Sequence, residues 1–179
     1  DARTVLGLYL SQINHFVEAR AEVEPIARLA SERGYRKRLC QIQSVIGAYF
    51  GYVDEDLAKA IAVLDEVIRI ANEEKDFITL IMASVFSGVF LSYDCDFEKA
   101  GKSIQRSIDF NTLANSQWGI AVMKAHFALL SYFYSGRIRP LRSLASEALK
   151  IAQGSGDPIS RGISHTTYGV ACYAKGLFE

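Results

Sequence analysis

Small residues return along this chain at an almost fixed interval. Gly7, Gly47, Gly88, Ala128 and Gly169 stand 40, 41, 40 and 41 residues apart. A ladder of apolar residues, Phe16, Leu57, Phe97, Ile138 and Phe178, keeps the same period in the order 41, 40, 41 and 40. Ala19, Ala60, Ala100 and Leu141 each follow their apolar marker by three residues. The two ladders slip by one because the second and fourth units carry one extra residue between their markers. A period held through 179 residues restricts the chain to a repeat architecture, in which one supersecondary unit buries its apolar surface by stacking on the next.

Each unit reads as two helices joined by a polar turn. Leu57, Ala60, Ile61, Leu64, Val67, Ile68 and Ala71 follow i, i+3, i+4, i+7 spacing, which is one face of a helix. The segment from Tyr35 to Tyr52 carries Leu39, Ile42, Ile46, Tyr49 and Phe50 at helical spacing. Between the two, Val53-Asp54-Glu55-Asp56 supplies carboxylates that cap a helix at its positive end. The third unit's helices are expected from Phe77 to Tyr93 and from Phe97 to Thr112, around Asp94-Cys95-Asp96. The fourth unit turns at Ser135-Gly136-Arg137 and places Pro140 in the first turn of a helix, where proline is tolerated. After Gly154-Ser155-Gly156, Asp157-Pro158 reads as an N-cap followed by proline at the first helical position. Pro25 falls well inside a helix and is expected to remove a hydrogen bond and bend it. Glycine inside a helix costs about 1 kcal/mol relative to alanine, so the small-residue ladder implies close helix crossings that offset the cost.

Charge and composition exclude several functions. Twenty basic residues balance twenty acidic ones, which leaves no electrostatic ground for nucleic acid or an anionic membrane as partner. No apolar run approaches the roughly 20 residues that cross a bilayer. Cys40, Cys95 and Cys172 are odd in number and lack metal or redox spacing, which fits free thiols in a reducing cytoplasm.

The pattern resembles the tetratricopeptide repeat in a long form of about 40 residues. Leu6-Gly7-Leu8-Tyr9-Leu10 with Ala19 and Val23 carries the likeness, as do Ile46-Gly47-Ala48-Tyr49-Phe50 with Ala60 and Leu64. Ser87-Gly88-Val89-Phe90-Leu91 with Ala100 and Ile104 continues it, and Tyr168-Gly169-Val170-Ala171-Cys172 opens a fifth unit. The motif tryptophan is absent from every unit, and the fourth has lost both glycine and alanine. A HEAT or armadillo array, whose period is about 40–47 residues, is the alternative. The resemblance implies an all-α, right-handed α-α superhelix of about four and a half repeats. Their bounds are near 1–34, 35–76, 77–114, 115–156 and an incomplete 157–179, in one solenoid over 1–179.

In the resembled family the first helices line a concave groove that receives a peptide or helix. Carried over by distance from the small-residue ladder, the groove residues are Ser44, Ala48 and Tyr52, then Val85, Val89 and Tyr93. Ala125, Leu129 and Phe133 follow in the fourth unit, and Thr166, Val170 and Tyr173 in the fifth. The alternative for each is packing between repeats. Family members that clamp a C-terminal carboxylate use Lys, Arg and Asn on this face, so no such clamp is expected here. His15, His126 and His165 have no Cys or carboxylate at ligand spacing, and Gly154-Ser155-Gly156 lacks a phosphate-loop signature. No catalytic constellation, cofactor or metal is therefore expected.

Long repeats of this kind resemble the C-terminal arrays of signal-transduction ATPases, including large transcription activators and ATPase-coupled adenylate/guanylate cyclases. The resemblance implies a non-catalytic, cytoplasmic interaction or sensor module that binds a protein or peptide in its groove, or another domain of a larger parent. With no capping repeat at either end, the chain reads as a fragment of a longer array, and end-to-end association near Leu6 and Phe178 is expected. A passive assembly scaffold and a small-ligand or peptide receptor are the alternatives.

Overall fold

The computed structural model describes residues 2–176; the fifth apolar landmark, Phe178, lies outside them. Among the described residues there are nine α-helices, one π-helical segment and no strand. The helices are α1 (Ala2–Gln12), α2 (Phe16–Glu32), α3 (Arg36–Tyr52), α4 (Leu57–Glu73), α5 (Phe77–Tyr93), α6 (Phe97–Leu113), α7 (Gln117–Phe127), α8 (Ile138–Ser155) and α9 (Pro158–Ala174). The π-helical segment, Ala128–Phe133, continues α7. Helices α2 to α6 each hold 17 residues, so the residues beyond a 34-residue repeat lengthen the helices rather than the loops. Pro25 does not interrupt α2, which runs through it to Glu32.

Every second helix buries the same stripe. Ala60, Leu64, Val67 and Ala71 of α4 are closed to solvent, and Leu141, Ala145, Ala148 and Ala152 of α8 occupy the same register. In α6 the stripe is Ala100, Ile104, Ser107 and Asn111. Its polar end is satisfied locally, since Asn111 Nδ2 donates to the Ser107 carbonyl at 2.8 Å. Complete burial of each Leu, Ile or Val contributes roughly 1.5–3 kcal/mol, and the alanines let the neighbouring helix come close.

The turns are as regular as the helices. Each carries one residue in the left-handed region: Asn14, Glu55, Cys95, Gly136 and Gly176 within repeats, and Gly34, Lys75, Asn115 and Gly156 between them. The next N–H reaches back over the helix end. His15 donates to the Leu10 carbonyl at 2.9 Å, Tyr35 to Ala30 at 2.9 Å, Asp76 to Ala71 at 2.9 Å, Asp96 to Leu91 at 2.8 Å and Arg137 to Tyr132 at 2.8 Å. This is the Schellman closure, which satisfies carbonyls that a helix end leaves open. The donating residue stands at the N-cap position of the following helix, and where that position holds aspartate at the start of α4, α6 and α9 its carboxylate closes the first turn. Asp56 accepts from Lys59 N at 3.0 Å, Asp96 from Lys99 N at 3.1 Å and Asp157 from Ser160 N at 2.7 Å. The extra residue of the second and fourth units lies in the turn, over 53–56 and 134–137 against 13–15 and 94–96.

The chain divides into two compact units within α5, between Phe90 and Leu91. In the first unit, α1 packs on α2 and α3, α2 on α3, and α3 on α4. Ala19, Val23, Ala30, Ile42 and Val45 form a core there, with Leu39 and Ile46 against it. A Cβ on Gly7 would collide with Val23, and one on Gly47 would stand 3.0 Å from Leu64. Gly51 faces the ring of the fully buried Phe90, which leaves no room for a side chain. Asp76, itself buried, accepts from Gln41 Nε2 and from Thr79 Oγ1, both at 2.8 Å, and so ties α3 to the start of α5. In the second unit, α6 packs on α7 and the π-helical segment, and α8 packs on α7 and α9. Ala128, Leu141, Ala145 and Ala171 form its core.

Gly169 belongs to the same ladder as Gly7 and Gly47 but has open space where a Cβ would stand. Gly51→Ala should therefore lower stability by about 1–3 kcal/mol, while Gly169→Ala should raise it by up to about 1 kcal/mol through helix propensity alone. Urea denaturation of the two variants checks both signs. Lys75 holds φ at 53° without being glycine. Lys75→Gly relieves that strain against a greater loss of chain entropy and should stabilise by about 0.5 kcal/mol, read as a small rise in melting temperature.

Candidate functional site

The first helices place the twelve groove candidates at three depths. Ser44, Ala48, Val89 and Ala125 are buried, the Ser44 hydroxyl without a hydrogen-bond partner. Tyr52, Val85, Leu129, Phe133 and Val170 are half-buried. Tyr93 and Tyr173 are 54% and 68% exposed, and Thr166 is exposed with its hydroxyl donating to the Gly162 carbonyl. Two of the half-buried rings are engaged inside their units. Tyr52 stacks on Phe16 at 4.4 Å between ring centres and meets Phe90 edge-on at 4.8 Å and Phe86 at 6.1 Å. Phe133 packs against the Ala128–Leu141 core. Of the twelve candidates, the aromatic side chains most open to solvent, Tyr93 and Tyr173, lie at the C-terminal ends of their helices.

The N-terminal ends carry a second exposed ladder. Ile78, Trp118 and Ile159 occupy the same position, the second of the first helix, in the third, fourth and fifth repeats. They are 64%, 56% and 69% exposed. Residues two places into each predicted first helix would have revealed it, since their spacings of 40 and 41 match the small-residue ladder. Tyr134, in the turn after the π-helical segment, is exposed as well.

In the second unit, α6 and the π-helical segment bound an open cleft of about 640 Å³. A π turn is wider than an α turn, and here it brings residues five apart together. Phe127 and Tyr132 stack at 5.0 Å, and the Arg137 guanidinium lies 4.9 Å over the Tyr132 ring. Ser131 Oγ donates to the Phe97 carbonyl at 3.1 Å, which fixes the segment against α6. A Cβ on Gly101 would come within 2.8 Å of Phe127, so the missing side chain lets the aromatic wall approach. The rim is mixed in charge, with Lys102 held by Glu98 at 2.6 Å and Asp109 accepting from Gln105 at 2.9 Å.

The remaining chemistry-bearing residues are placed individually. No group of three His, Cys, Asp or Glu able to hold a metal gathers among the described residues. Gly156, at φ 72°, ends α8, and Ser155 Oγ donates to the Ala152 carbonyl, so the glycine-serine stretch is a turn between repeats. The Cys40 thiol donates to the Val67 carbonyl at 3.2 Å, and burial pushes its pKa up to about 12. Cys95 is exposed. The His126 Nδ1–H donates to the Val122 carbonyl at 2.9 Å, and burial holds its pKa below the usual histidine value.

His126 is thus neutral in the folded chain where the unfolded chain binds a proton. Its contribution is complete above the ordinary histidine pKa of about 6.5 and declines as pH falls below it. His126→Gln should flatten the loss of stability between about pH 6.5 and 5, measured by urea denaturation at both ends. At pH 8, a maleimide should label Cys95 rapidly and Cys40 only as the chain unfolds, resolved by mass spectrometry of the labelled peptides.

No protein-family model matches this chain, and no curated protein matches it in sequence. Among solved structures, it is similar to a kinesin light chain-like protein of Podosopora anserina built of nearly identical TPR-like repeats. The TM-score is 0.75 at 13% identity, over 99% of this chain and 86% of that one. It is also similar to BtubC (BKLC) from P. vanneervenii, with a TM-score of 0.77 at 16% identity, over 98% of this chain and 72% of the other. The fold is therefore an all-α helical-repeat solenoid of the tetratricopeptide type.

Proposed function

We infer that this chain is a non-catalytic protein-interaction module that presents the first helices of its repeats to a peptide or helix of a partner. The observation that carries the reading is the exposed apolar ladder at the start of those helices, Ile78, Trp118 and Ile159, together with the exposed Tyr93 and Tyr173 near their ends. A repeat fold supports its core with the second-helix stripe, so the large apolar side chains kept in water at equivalent places, Ile78, Trp118 and Ile159, mark an interaction surface. Aromatic anchors of this kind dominate binding energies at protein interfaces.

The finer reading is a sensor or regulatory arm of a larger cytoplasmic signalling protein, such as a signal-transduction ATPase or nucleotide cyclase. Its support is the style of the repeat, with 17-residue helices and a period of 40 or 41. Among the described residues no helix is long and apolar enough to cross a membrane. Sequencing the gene on both sides tests the parent: an adjoining nucleotide-binding or cyclase domain supports it, and further repeats alone contradict it.

The interaction reading is tested by selecting peptides on the 179-residue chain from a display library and titrating the best binder. Trp118→Ala and Tyr173→Ala should each weaken it by about tenfold or more, as truncation of an aromatic anchor does. Binders indifferent to both substitutions would contradict the reading.

A further inference from the structure

The second unit carries two equivalent clefts of different electrical character. The cleft described above opens along Phe97, Glu98, Gly101, Lys102 and Gln105 of α6. Another, of about 650 Å³, opens along Ile138, Arg139, Arg142, Ser143 and Ser146 of α8, the same five positions one repeat on, and is completed by Lys175 just past α9. In the first cleft Glu98 neutralises Lys102 and Asp109 adds another carboxylate. In the second, Arg139 and Arg142 replace Glu98 and Gly101, and no carboxylate of the described residues lines the cavity.

Among the described residues these cations are unanswered. Arg139, Arg142 and Lys175 make no ion pair among the described residues, and the one acid of α8, Glu147, is held by Lys124 at 2.8 Å. They do not serve the helix either, since positive charge in a first turn opposes the macrodipole. The equivalent caps of the two preceding repeats are Asp56 and Asp96. At the other basic helix start the first guanidinium is answered internally: Arg36 of α3 meets Glu73 at 2.7 Å and Glu74 at 3.1 Å.

Two guanidinium groups, an ammonium and two hydroxyls around one cavity present many donors and, among the described residues, no anionic acceptor. Guanidinium forks match the oxygens of a phosphate two bonds at a time, and the volume suits a small molecule. A lone carboxylate would leave most of this positive charge uncompensated. We propose that the cleft binds a small molecule carrying linked phosphate groups. Arg139, Arg142 and Lys175 take the phosphate oxygens, Ser143 and Ser146 donate beside them, and Ile138 lies against the organic remainder.

Calorimetric titration of the 179-residue chain with inorganic pyrophosphate in about 0.15 M salt tests the proposal. One saturable site is expected, weakened about tenfold or more by Arg139→Gln and by Arg142→Gln. Lys150→Gln, an exposed cation of the same helix outside the cleft, should change nothing. Arg139 is exposed and Arg142 half-buried, so both variants should keep their circular dichroism spectra; Lys175→Gln, beyond the last helix, carries the same expectation should either fail to fold. Absence of saturable binding overturns the proposal. Equal weakening by Lys150→Gln overturns it in favour of diffuse charge, and citrate binding as tightly as pyrophosphate overturns it in favour of a general polyanion site. Binding to vesicles that contain phosphatidic acid, without binding of free pyrophosphate, overturns it in favour of a lipid headgroup.

Discussion

Nearly every turn between the described helices is closed by a left-handed residue followed by an N–H that reaches back to a carbonyl of the preceding helix, and the rest of the structure depends on that closure. The exception follows Gly156, where the Asp157 N–H donates to Ser155 Oγ. Closure ends one helix, satisfies its last carbonyls and delivers the capping residue of the next within three or four positions. Asp96 does all of this at once: its N–H closes α5 on Leu91 and its carboxylate opens α6 at Lys99. Where closure recurs at a fixed place, from α2 to α6, helix length is held at 17 residues and the buried stripes of successive second helices fall in one register. Where the left-handed position is glycine or asparagine the backbone tolerates it; at Glu55, Lys75 and Cys95 the packing on either side maintains it against strain.

Fixed helix length lets small residues meet large ones. Gly7 lies under Val23, Gly47 under Leu64, and Gly51 under Phe90, so each missing side chain is matched by a buried apolar one. Glycine's helix penalty is offset by the burial it permits. Phe16, Tyr52, Phe86 and Phe90 then gather from three helices into an aromatic cluster that closes the first unit. The second unit solves the same problem differently. With Ala128 at the ladder position, its backbone widens into a π turn, and Phe127, Tyr132 and Arg137 stack beside α6.

Much of this was legible in the sequence, because period, caps and second-helix stripes are local patterns with one physical cause. The Asp157-Pro158 start of α9, the bounds of α5 and the one-residue slip in alternate turns follow directly from it. The depth of the first-helix residues did not. Helix α5, FITLIMASVFSGVFLSY, is apolar all round, and periodicity gives no facing when no face is polar. Equivalent positions also differ by repeat: the place that buries Ala125 exposes Thr166. The π-helical segment left no compositional trace, and the basic cleft is visible only once α8 and Lys175 are brought together. Single residues such as Arg139 and Arg142 blend into a balanced total of charge.

Native-state amide hydrogen exchange is the direct test of the closure on which this account rests. The N–H groups of Tyr35, Asp76, Asp96, Ser116 and Arg137 lie in turns, yet each is bonded to a carbonyl five residues back. They should exchange with the protection of their adjoining helices. Exchange at the rate of open loops would mean that the helices end without closure and that the constant repeat length has another cause.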